Sequence, residues 1–142
     1  MPVYKTNSEE ETVVLGETLS RELPQGGVVL LTGNLGAGKT TLTKGIAKAR
    51  GAASPEEVSS PTFTLIHEYG DPPSVYHVDL YRLEEEKELA TLGLEELYDR
   101  NALVLIEWGE RFAAHMPTPR HEIRIERLSD TGRLIELVRV TG

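Results

Sequence analysis

Residues 33–40 read GNLGAGKT and match the pattern GxxxxGK[ST], which is typical of loops that bind nucleotide phosphates. In such a loop the backbone N–H groups surround the phosphates, and the helix that follows adds the positive end of its dipole. Lys39 is placed to reach the β- and γ-phosphates, and the hydroxyl of Thr40 is placed to ligate Mg²⁺. The residues predicted to contact the nucleotide here are Gly33, Asn34, Leu35, Gly36, Ala37, Gly38, Lys39, Thr40 and Thr41.

The segments on either side of this loop have the character that a phosphate site requires. Residues 28–31, VVLL, predict a short buried strand, and residues 41–49 place Leu42, Ile46 and Ala49 on one face of a helix. The alternative is a glycine-rich turn before a helix, but the order strand, glycine loop, helix favours nucleotide binding. ATP is favoured over GTP because the sequence has no Asn-Lys-x-Asp motif, the usual guanine signature.

Two carboxylates follow other apolar segments and are candidates for the chemistry. Glu107 comes directly after residues 103–106, LVLI, where P-loop enzymes place a carboxylate that holds Mg²⁺ or polarises the attacking water. Asp79 follows residues 75–78, VYHV, and offers a second acidic group. The alternatives are a solvent-facing glutamate at a strand end and an aspartate that caps the next turn. Packing or hydrogen bonding accounts for His77, since no set of three ligands has zinc spacing.

The rest of the sequence predicts the elements that hold these groups. They are a helix over 8–23 with a capping box from Ser8 to Glu11, a hairpin of 62–66 with 75–80, helices over 83–98 bent at Gly93, a strand over 102–106, and a terminal hairpin of 123–125 with 134–140. These elements predict an α/β fold, a three-layer P-loop NTPase with a mixed sheet that is mostly parallel in its centre and has antiparallel hairpins at its edges. No linker or repeat divides the chain, so residues 1–142 are predicted to form a single P-loop ATPase domain.

Composition excludes several other classes of protein. The 142 residues include 23 acidic and 15 basic ones, for a net charge of −8, which disfavours broad binding to nucleic acid or to an anionic membrane. The absence of cysteine excludes disulfides, thiolate nucleophiles and Cys-ligated metal centres. The N-terminal segment lacks the pattern of a signal peptide, and no apolar run approaches the roughly 20 residues of a membrane helix. We therefore expect a soluble cytoplasmic protein with no membrane partner.

Four blocks of sequence resemble the TsaE (YjeE-type) family, the P-loop ATPases of bacterial tRNA threonylcarbamoyladenosine biosynthesis. They are GNLGAGKTTL at 33–42, SPTFTL at 60–65, HVDLYRL at 77–83 and IEWGERF at 106–112, in the order that the family has. A weaker segment, GLEEL at 93–97, fits as well. The first block occurs in many families, whereas the combination of the other three is highly specific.

This resemblance implies a role for each matching residue. Lys39 and Thr40 would bind phosphate and Mg²⁺, Glu107 would be the Walker B acid, and Asp79 would act beside the γ-phosphate. The residues implied at the edges of the nucleotide are Ser60, Pro61 and Thr62 in a switch-like loop, Trp108 under the nucleotide or against a partner, and Ser8 or Glu9 with Arg133 at the adenine. The alternatives are a strand breaker for the proline, a core role for the tryptophan, and simple surface positions for the charged residues.

The resemblance also implies a function. The protein would bind Mg-ATP, dock on the TsaB and TsaD proteins, and hydrolyse ATP to reset their complex between rounds of tRNA modification, contacting tRNA only indirectly. Two alternatives stay open, a small-molecule P-loop kinase and a nucleotide-gated assembly module that needs no hydrolysis. Arg82 and Arg111 are candidates for an arginine finger within the chain, but we expect one supplied by a partner, and hence weak turnover by the protein alone.

Overall fold

The computed structural model describes residues 2–34, 36–61 and 64–141, and strands and helices run throughout them. The strands are β1 Val3–Thr6, β2 Gly27–Thr32, β3 Ile66–Gly70, β4 Pro73–Asp79, β5 Leu103–Glu107, β6 Arg120–Arg127 and β7 Arg133–Val140. The α-helices are α1 Glu9–Ser20, α2 Lys39–Ala49 and α3 Leu94–Tyr98, and 3₁₀ helices cover Pro55–Glu57, Glu86–Leu92 and Gly109–His115. Within this described part of the chain, no helix combines the length and the apolar character needed to cross a membrane.

The strands pair into one sheet in the order β1-β7-β6-β2-β5-β4-β3. Its four central strands, β6, β2, β5 and β4, pair in parallel. At one edge β3 runs antiparallel to β4, and at the other β7 runs antiparallel to both β6 and β1. The predicted mixed α/β fold, with a parallel centre and antiparallel hairpins at its edges, is confirmed.

Alternate residues of the central strands pack against opposite faces of the sheet. On β2, Val29 and Leu31 join the apolar cluster that contains the buried residues of α1 and α2. Val28 and Leu30 join the other cluster, which contains Leu94 of α3. Because β2 and β5 are covered on both faces, their sequences are continuous apolar runs rather than alternating ones.

Helices α1 and α2 approach each other closely at two glycines. A Cβ on Gly45 would lie 1.9 Å from the carbonyl oxygen of Val13, and a Cβ on Gly16 would lie 2.4 Å from that of Leu42. Only glycine permits this approach, because any side chain would overlap the backbone of the other helix. The contact matters for the site because α2 begins at Lys39.

The start of α1 is capped as predicted, although the reciprocal bond of the capping box is different. Oγ of Ser8 accepts a hydrogen bond from the N–H of Glu11 at 3.1 Å. The carboxylate of Glu11 accepts one from the N–H of Asn7 at 2.8 Å, one residue before the cap, so the predicted return bond to Ser8 is wrong. The helix ends at Ser20 rather than at residue 23, because residues 21–23 continue as tight turns with bonds to the third residue back.

Three further elements differ from the sequence predictions. Residues 62 and 63 of the strand predicted at 62–66 lie outside the described residues, and β3 covers Ile66–Gly70 instead of residues 64 and 65, because Leu65 has a φ of 70°, which lies outside the strand region. β1 was not predicted, since its four residues are too few to show a pattern. The 3₁₀ helix Gly109–His115 was also missed, whereas the bend predicted at Gly93 is present, with a φ of 67° between two helices.

We expect Gly45→Ala to lower the free energy of unfolding by about 1–3 kcal/mol, because the added methyl group forces α1 and α2 apart. In a helix alanine is otherwise more favourable than glycine, so a loss of stability in this variant must come from the packing of the two helices. Urea unfolding measures the change. Gly26→Ala is the control, because its Cβ would meet no heavy atom closer than 3.5 Å. An unchanged unfolding midpoint for Gly45→Ala would contradict the close contact.

Candidate functional site

The predicted site residues meet at the carboxyl ends of the central parallel strands. The glycine loop leaves β2 after Thr32, Asp79 ends β4, and Glu107 ends β5. Asp79 lies opposite Glu107 in the pairing of β4 with β5, and Glu107 lies opposite Leu31 of β2. The loop and both carboxylates therefore share one edge of the sheet, which is where open parallel sheets bind their ligands.

A cavity of about 390 Å³ lies between the loop and the two carboxylates. Its lining comes from the loop, from the ends of β4 and β5, and from the start of β7. The lining residues are Gly36, Gly38, Lys39, Thr40, Thr41, Ser60, Asp79, Tyr81, Glu107, Trp108 and Arg133. Most of the residues singled out in the sequence are thus brought together around a single space.

The loop presents the start of α2 to this cavity. Gly38 has a φ of 109°, and α2 begins at the next residue with no side chain of the described residues capping it. The first N–H groups of the helix therefore have the free hydrogen-bonding capacity that an anion uses. Gly33 lets the loop pass close to β6, because a Cβ there would lie 2.6 Å from the carbonyl oxygen of Ile125.

The ammonium group of Lys39 is buried at the floor of the cavity, with the residue only 5% exposed. It donates to the carbonyl oxygen of Gly33 at 2.9 Å, lies 4.0 Å from a carboxylate oxygen of Glu107, and lies 3.9 Å from the centre of the Trp108 ring. Burial lowers the pKa of Lys39, and the nearby carboxylates, led by that of Glu107, oppose this shift. A phosphate entering here would meet a cation that has already lost most of its water.

The two carboxylates are also buried, and each has fixed partners. Oε2 of Glu107 is hydrogen-bonded to Nε2 of His77, a fully buried side chain of β4, while Oε1 faces Lys39. Oδ1 of Asp79 accepts the N–H of Tyr81 at 2.9 Å, and its Oδ2 accepts the hydroxyl of Ser60 at 3.4 Å. The capping role that was the alternative for Asp79 is therefore present together with its place in the cavity.

Trp108 connects β5 to the 3₁₀ helix Gly109–His115 in an uncommon conformation. Its φ of 66° is rare for a bulky residue. The ring lies over Lys39 on one side and packs against the Tyr81 ring, with 5.2 Å between the ring centres. It also packs against the apolar cluster on the α3 side of the sheet. Trp108 thus packs against the core and also lines the cavity, while its contact with a nucleotide or a partner stays a prediction.

The Arg133 guanidinium binds the backbone of the glycine loop. Its Nε donates to the carbonyl oxygen of Ala37 at 2.7 Å, and its Nη2 donates to that of Gly36 at 3.2 Å. Its Nη1 donates to the carbonyl oxygens of Ser129 and Gly132, each at 2.9 Å. Arg133 therefore joins the loop to the β6–β7 turn. The sequence did not reveal this role, because the paired residues are far apart along the chain.

A second cavity, of about 240 Å³, shares Gly38, Thr41 and Arg133 with the first. Its other lining residues are Ser8, Glu9, Thr12, Asp130 and Thr131. The residues predicted to contact adenine, Ser8 or Glu9 and Arg133, are therefore together beside the loop. Their contact with a base stays a prediction.

The remaining predicted residues have different positions. Three of the described loop residues do not line the cavity, namely Gly33, Asn34 and Ala37. Within the loop, the Ala37 N–H donates to the Asn34 carbonyl oxygen at 3.0 Å. Leu35 and Thr62 lie outside the described residues. The sequence assigned no site role to Tyr81, and His77 was expected only to pack or hydrogen-bond. The spacing of His77 and Asp79 on one strand face was the signal available for the histidine.

The two candidate arginines lie outside the loop cavity. Nη1 of Arg111 donates to the carbonyl oxygen of Tyr81 at 2.8 Å, and its Nη2 donates to that of Leu83 at 2.5 Å. Arg82 is exposed and lines an open space on the far side of Tyr81 and Trp108. To act as an arginine finger, Arg111 would have to release the carbonyl groups of Tyr81 and Leu83.

Known proteins are similar to this chain in both sequence and fold. Residues 6–135 match the sequence model of a family described as threonylcarbamoyl adenosine biosynthesis protein TsaE. The chain is 39% identical over 138 residues to the tRNA threonylcarbamoyladenosine biosynthesis protein TsaE of Bacillus subtilis, which covers 96% of this chain and 85% of the relative. It is 40% identical over 132 residues to the protein of that name from Rickettsia bellii, covering 92% and 90%. The crystal structure of Bacillus subtilis YdiB matches with a TM-score of 0.75 at 32% identity, over 99% of this chain and 86% of that one.

We expect Mg-ATP to change the fluorescence of Trp108, the only tryptophan in the sequence, because bound phosphates would draw the Lys39 ammonium away from the ring. Titration of tryptophan emission with Mg-ATP measures the change. Lys39→Met removes the ammonium and should abolish the response. Emission that stays constant while calorimetry records ATP binding would contradict this arrangement.

We expect Arg133→Lys to weaken ATP binding about tenfold, equivalent to about 1.4 kcal/mol, because an ammonium cannot hold the Gly36 and Ala37 carbonyl groups as a guanidinium does. Calorimetry measures the dissociation constant. Arg139→Lys, at an exposed position on the same strand, is the matched control and should bind as the wild type does. Equal affinities for the Arg133 variant and the wild type would show that the loop keeps its shape without this arginine.

Proposed function

Because this chain belongs to the TsaE family, we propose that it is an ATPase that serves in the biosynthesis of threonylcarbamoyladenosine in tRNA. The proposal includes the three-layer architecture of a P-loop NTPase, a bound Mg-ATP, and docking on the TsaB and TsaD proteins. Hydrolysis would reset their complex between rounds of modification. One observation carries the chemical part, namely a buried ammonium facing two buried carboxylates across the cavity of a glycine loop.

The residues around the cavity suit a magnesium-bound triphosphate. Gly38 leaves the backbone of the loop open to phosphate oxygens, and Lys39 supplies a buried positive charge. The Thr40 hydroxyl and the Glu107 carboxylate line the same cavity and are oxygen donors of the kind that Mg²⁺ prefers. These two residues would hold the ion, which when bound would neutralise phosphate charge that builds up during the reaction.

The neighbouring cavity offers a place for the nucleoside. Its lining includes Gly38 and Thr41, which also line the first cavity, and Ser8 and Glu9 at the start of α1. A carboxylate beside a base favours groups that donate hydrogen bonds, and the adenine amino group is such a donor. Guanine has such donors as well, so the proposal of ATP rests on the missing Asn-Lys-x-Asp motif.

Hydrolysis would proceed by attack of water on the γ-phosphorus, in line with the bond to the bridging oxygen. The new bond forms between the water oxygen and phosphorus as the bond to ADP breaks, and the water proton is released. Glu107 or Asp79 would orient the water, and Lys39 and the N–H groups of the loop would stabilise the charge that develops on the phosphate oxygens. All these groups are preorganised by the contacts described above, so little rearrangement is required.

Slow hydrolysis by the isolated chain is part of the proposal. Arg111 is engaged by the carbonyl groups that follow β4, which supports a stimulating group supplied by a partner. The net charge of −8 supports contact with tRNA only through TsaB and TsaD. The open space beside Tyr81 and Trp108 lies next to the carboxylate end of the cavity, within reach of such a partner.

The decisive experiment is steady-state ATP hydrolysis with Mg²⁺, by the chain alone and with TsaB and TsaD. We expect low turnover alone and a clear stimulation by the partners, because the transition-state charge lacks an arginine finger until they dock. Lys39→Ala is the blank and should lose the stimulated rate by at least about 100-fold. Fast turnover by the isolated chain that partners leave unchanged would contradict the proposal.

The same proteins separate hydrolysis from its two alternatives. Asp79→Asn keeps the size of the side chain and removes its charge, so a variant that binds ATP and both partners yet supports no tRNA modification indicates that turnover is required. Full modification by that variant, with hydrolysis abolished, would instead favour a nucleotide-gated assembly module. Transfer of labelled phosphate to a metabolite rather than to water would favour a kinase.

A further inference from the structure

His77 is the one fully buried histidine with a direct contact to a carboxylate of the site. It lies on the same face of β4 as Asp79, and it is 0% exposed. Its Nε2 bonds to Oε2 of Glu107, while Nδ1 is buried and has no hydrogen-bond partner among the described residues. Nothing in the hydrolysis outlined above uses this side chain.

The bonding pattern favours one tautomer of the ring. We expect the hydrogen on Nε2, because the carboxylate of Glu107 can accept it there, whereas a hydrogen on Nδ1 would have no acceptor among the described residues. Nδ1 then carries a lone pair rather than an N–H group. A buried lone pair without a partner is better tolerated than a buried N–H without one, which agrees with the unpartnered state of Nδ1.

This hydrogen bond determines how Glu107 is presented to the cavity. With Oε2 bonded to His77, the free oxygen is Oε1, which faces Lys39 at 4.0 Å. Without the histidine, the carboxylate would be free to rotate and form a closer ion pair with Lys39. Such a pair would occupy both the cation that binds phosphate and the oxygen that faces the cavity.

We propose that His77 is a positioning residue that fixes which oxygen of Glu107 faces the nucleotide cavity and keeps that carboxylate apart from the Lys39 ammonium. The role rests on the proposed ATPase function, since it concerns the acid that the function requires. It acts through Glu107, so it should affect turnover much more than the binding of ATP. A histidine that merely filled the core would affect stability and leave turnover per folded molecule unchanged.

The first test uses the protein without nucleotide. Nitrogen-correlated NMR of the ring signals of the four histidines should show one side chain, His77, with hydrogen on Nε2 and slow exchange with solvent. Its signal is identified by its loss in His77→Gln and should shift in Glu107→Gln. Hydrogen on Nδ1, or a His77 signal that does not shift in Glu107→Gln, would overturn the proposal. This result does not depend on whether the protein hydrolyses ATP.

The second test compares two amide substitutions of one residue. Glutamine places its N–H donor close to the position of Nε2, whereas the shorter asparagine cannot reach Glu107. In the presence of TsaB and TsaD, His77→Gln should keep kcat within about threefold of the wild type, and His77→Asn should lose about 10–100-fold in kcat with little change in KM. Thermal unfolding checks that both variants are folded.

The outcomes separate the two proposals. Equal losses of kcat in the glutamine and asparagine variants, or none in either, would overturn the positioning role while the ATPase function stands. A wild-type protein that does not hydrolyse ATP would overturn the function, and the nucleotide-free NMR experiment would still decide whether His77 holds Glu107. If His77→Asn fails to fold, that NMR experiment and the glutamine variant still decide the question.

Discussion

The burial of one ammonium between two carboxylates is the constraint on which the site depends. Isolated charges in a protein interior are strongly unfavourable, and Lys39, Asp79 and Glu107 are each at most 5% exposed. The parallel register of β2, β5 and β4 brings these groups to the same level, so the charges partly compensate one another. Hydrogen bonds with His77 and Ser60 give the two carboxylates further polar partners. The site therefore holds buried groups of both charge types in fixed positions.

Three arginines hold irregular segments of the fold, and each does so through backbone carbonyl groups rather than carboxylates. Arg133 binds the glycine loop, Arg111 binds the segment after β4, and Arg50 binds the turn after α1, including the carbonyl oxygen of Pro24 at 2.8 Å. A planar guanidinium with five N–H donors is suited to this task, because it satisfies several carbonyl groups that no sheet or helix reaches. The regular elements determine the positions of the charged groups of the cavity, and these arginines hold irregular segments between regular elements.

The elements with strong local patterns are the ones that were predictable from sequence. The glycine loop, the apolar strands β2 and β5 and the bend at Gly93 all depend on residues close together in the chain, and all are present. The displaced start of β3 and the missed strand β1 depend on pairing and on backbone conformation, which no short pattern records. The residues of the site show the same division between local patterns and contacts that are distant in sequence. Lys39 was identified from the loop motif, and Asp79 and Glu107 from their positions after strands. The contact of His77 with Glu107 and that of Arg133 with Ala37, by contrast, join residues far apart in sequence.

The pairing of β1 with β7 also affects when the fold can form during translation. β1 is the first and β7 the last strand of the described residues, and Val3 lies opposite Glu136 in the sheet. Such distant pairings are slow to form, because a long loop must close before they contribute any stability. Arg133 belongs to β7, so the glycine loop lacks the contacts of this arginine until β7 has been synthesised. During translation the sequence of the glycine loop therefore exists well before the arginine that holds its backbone.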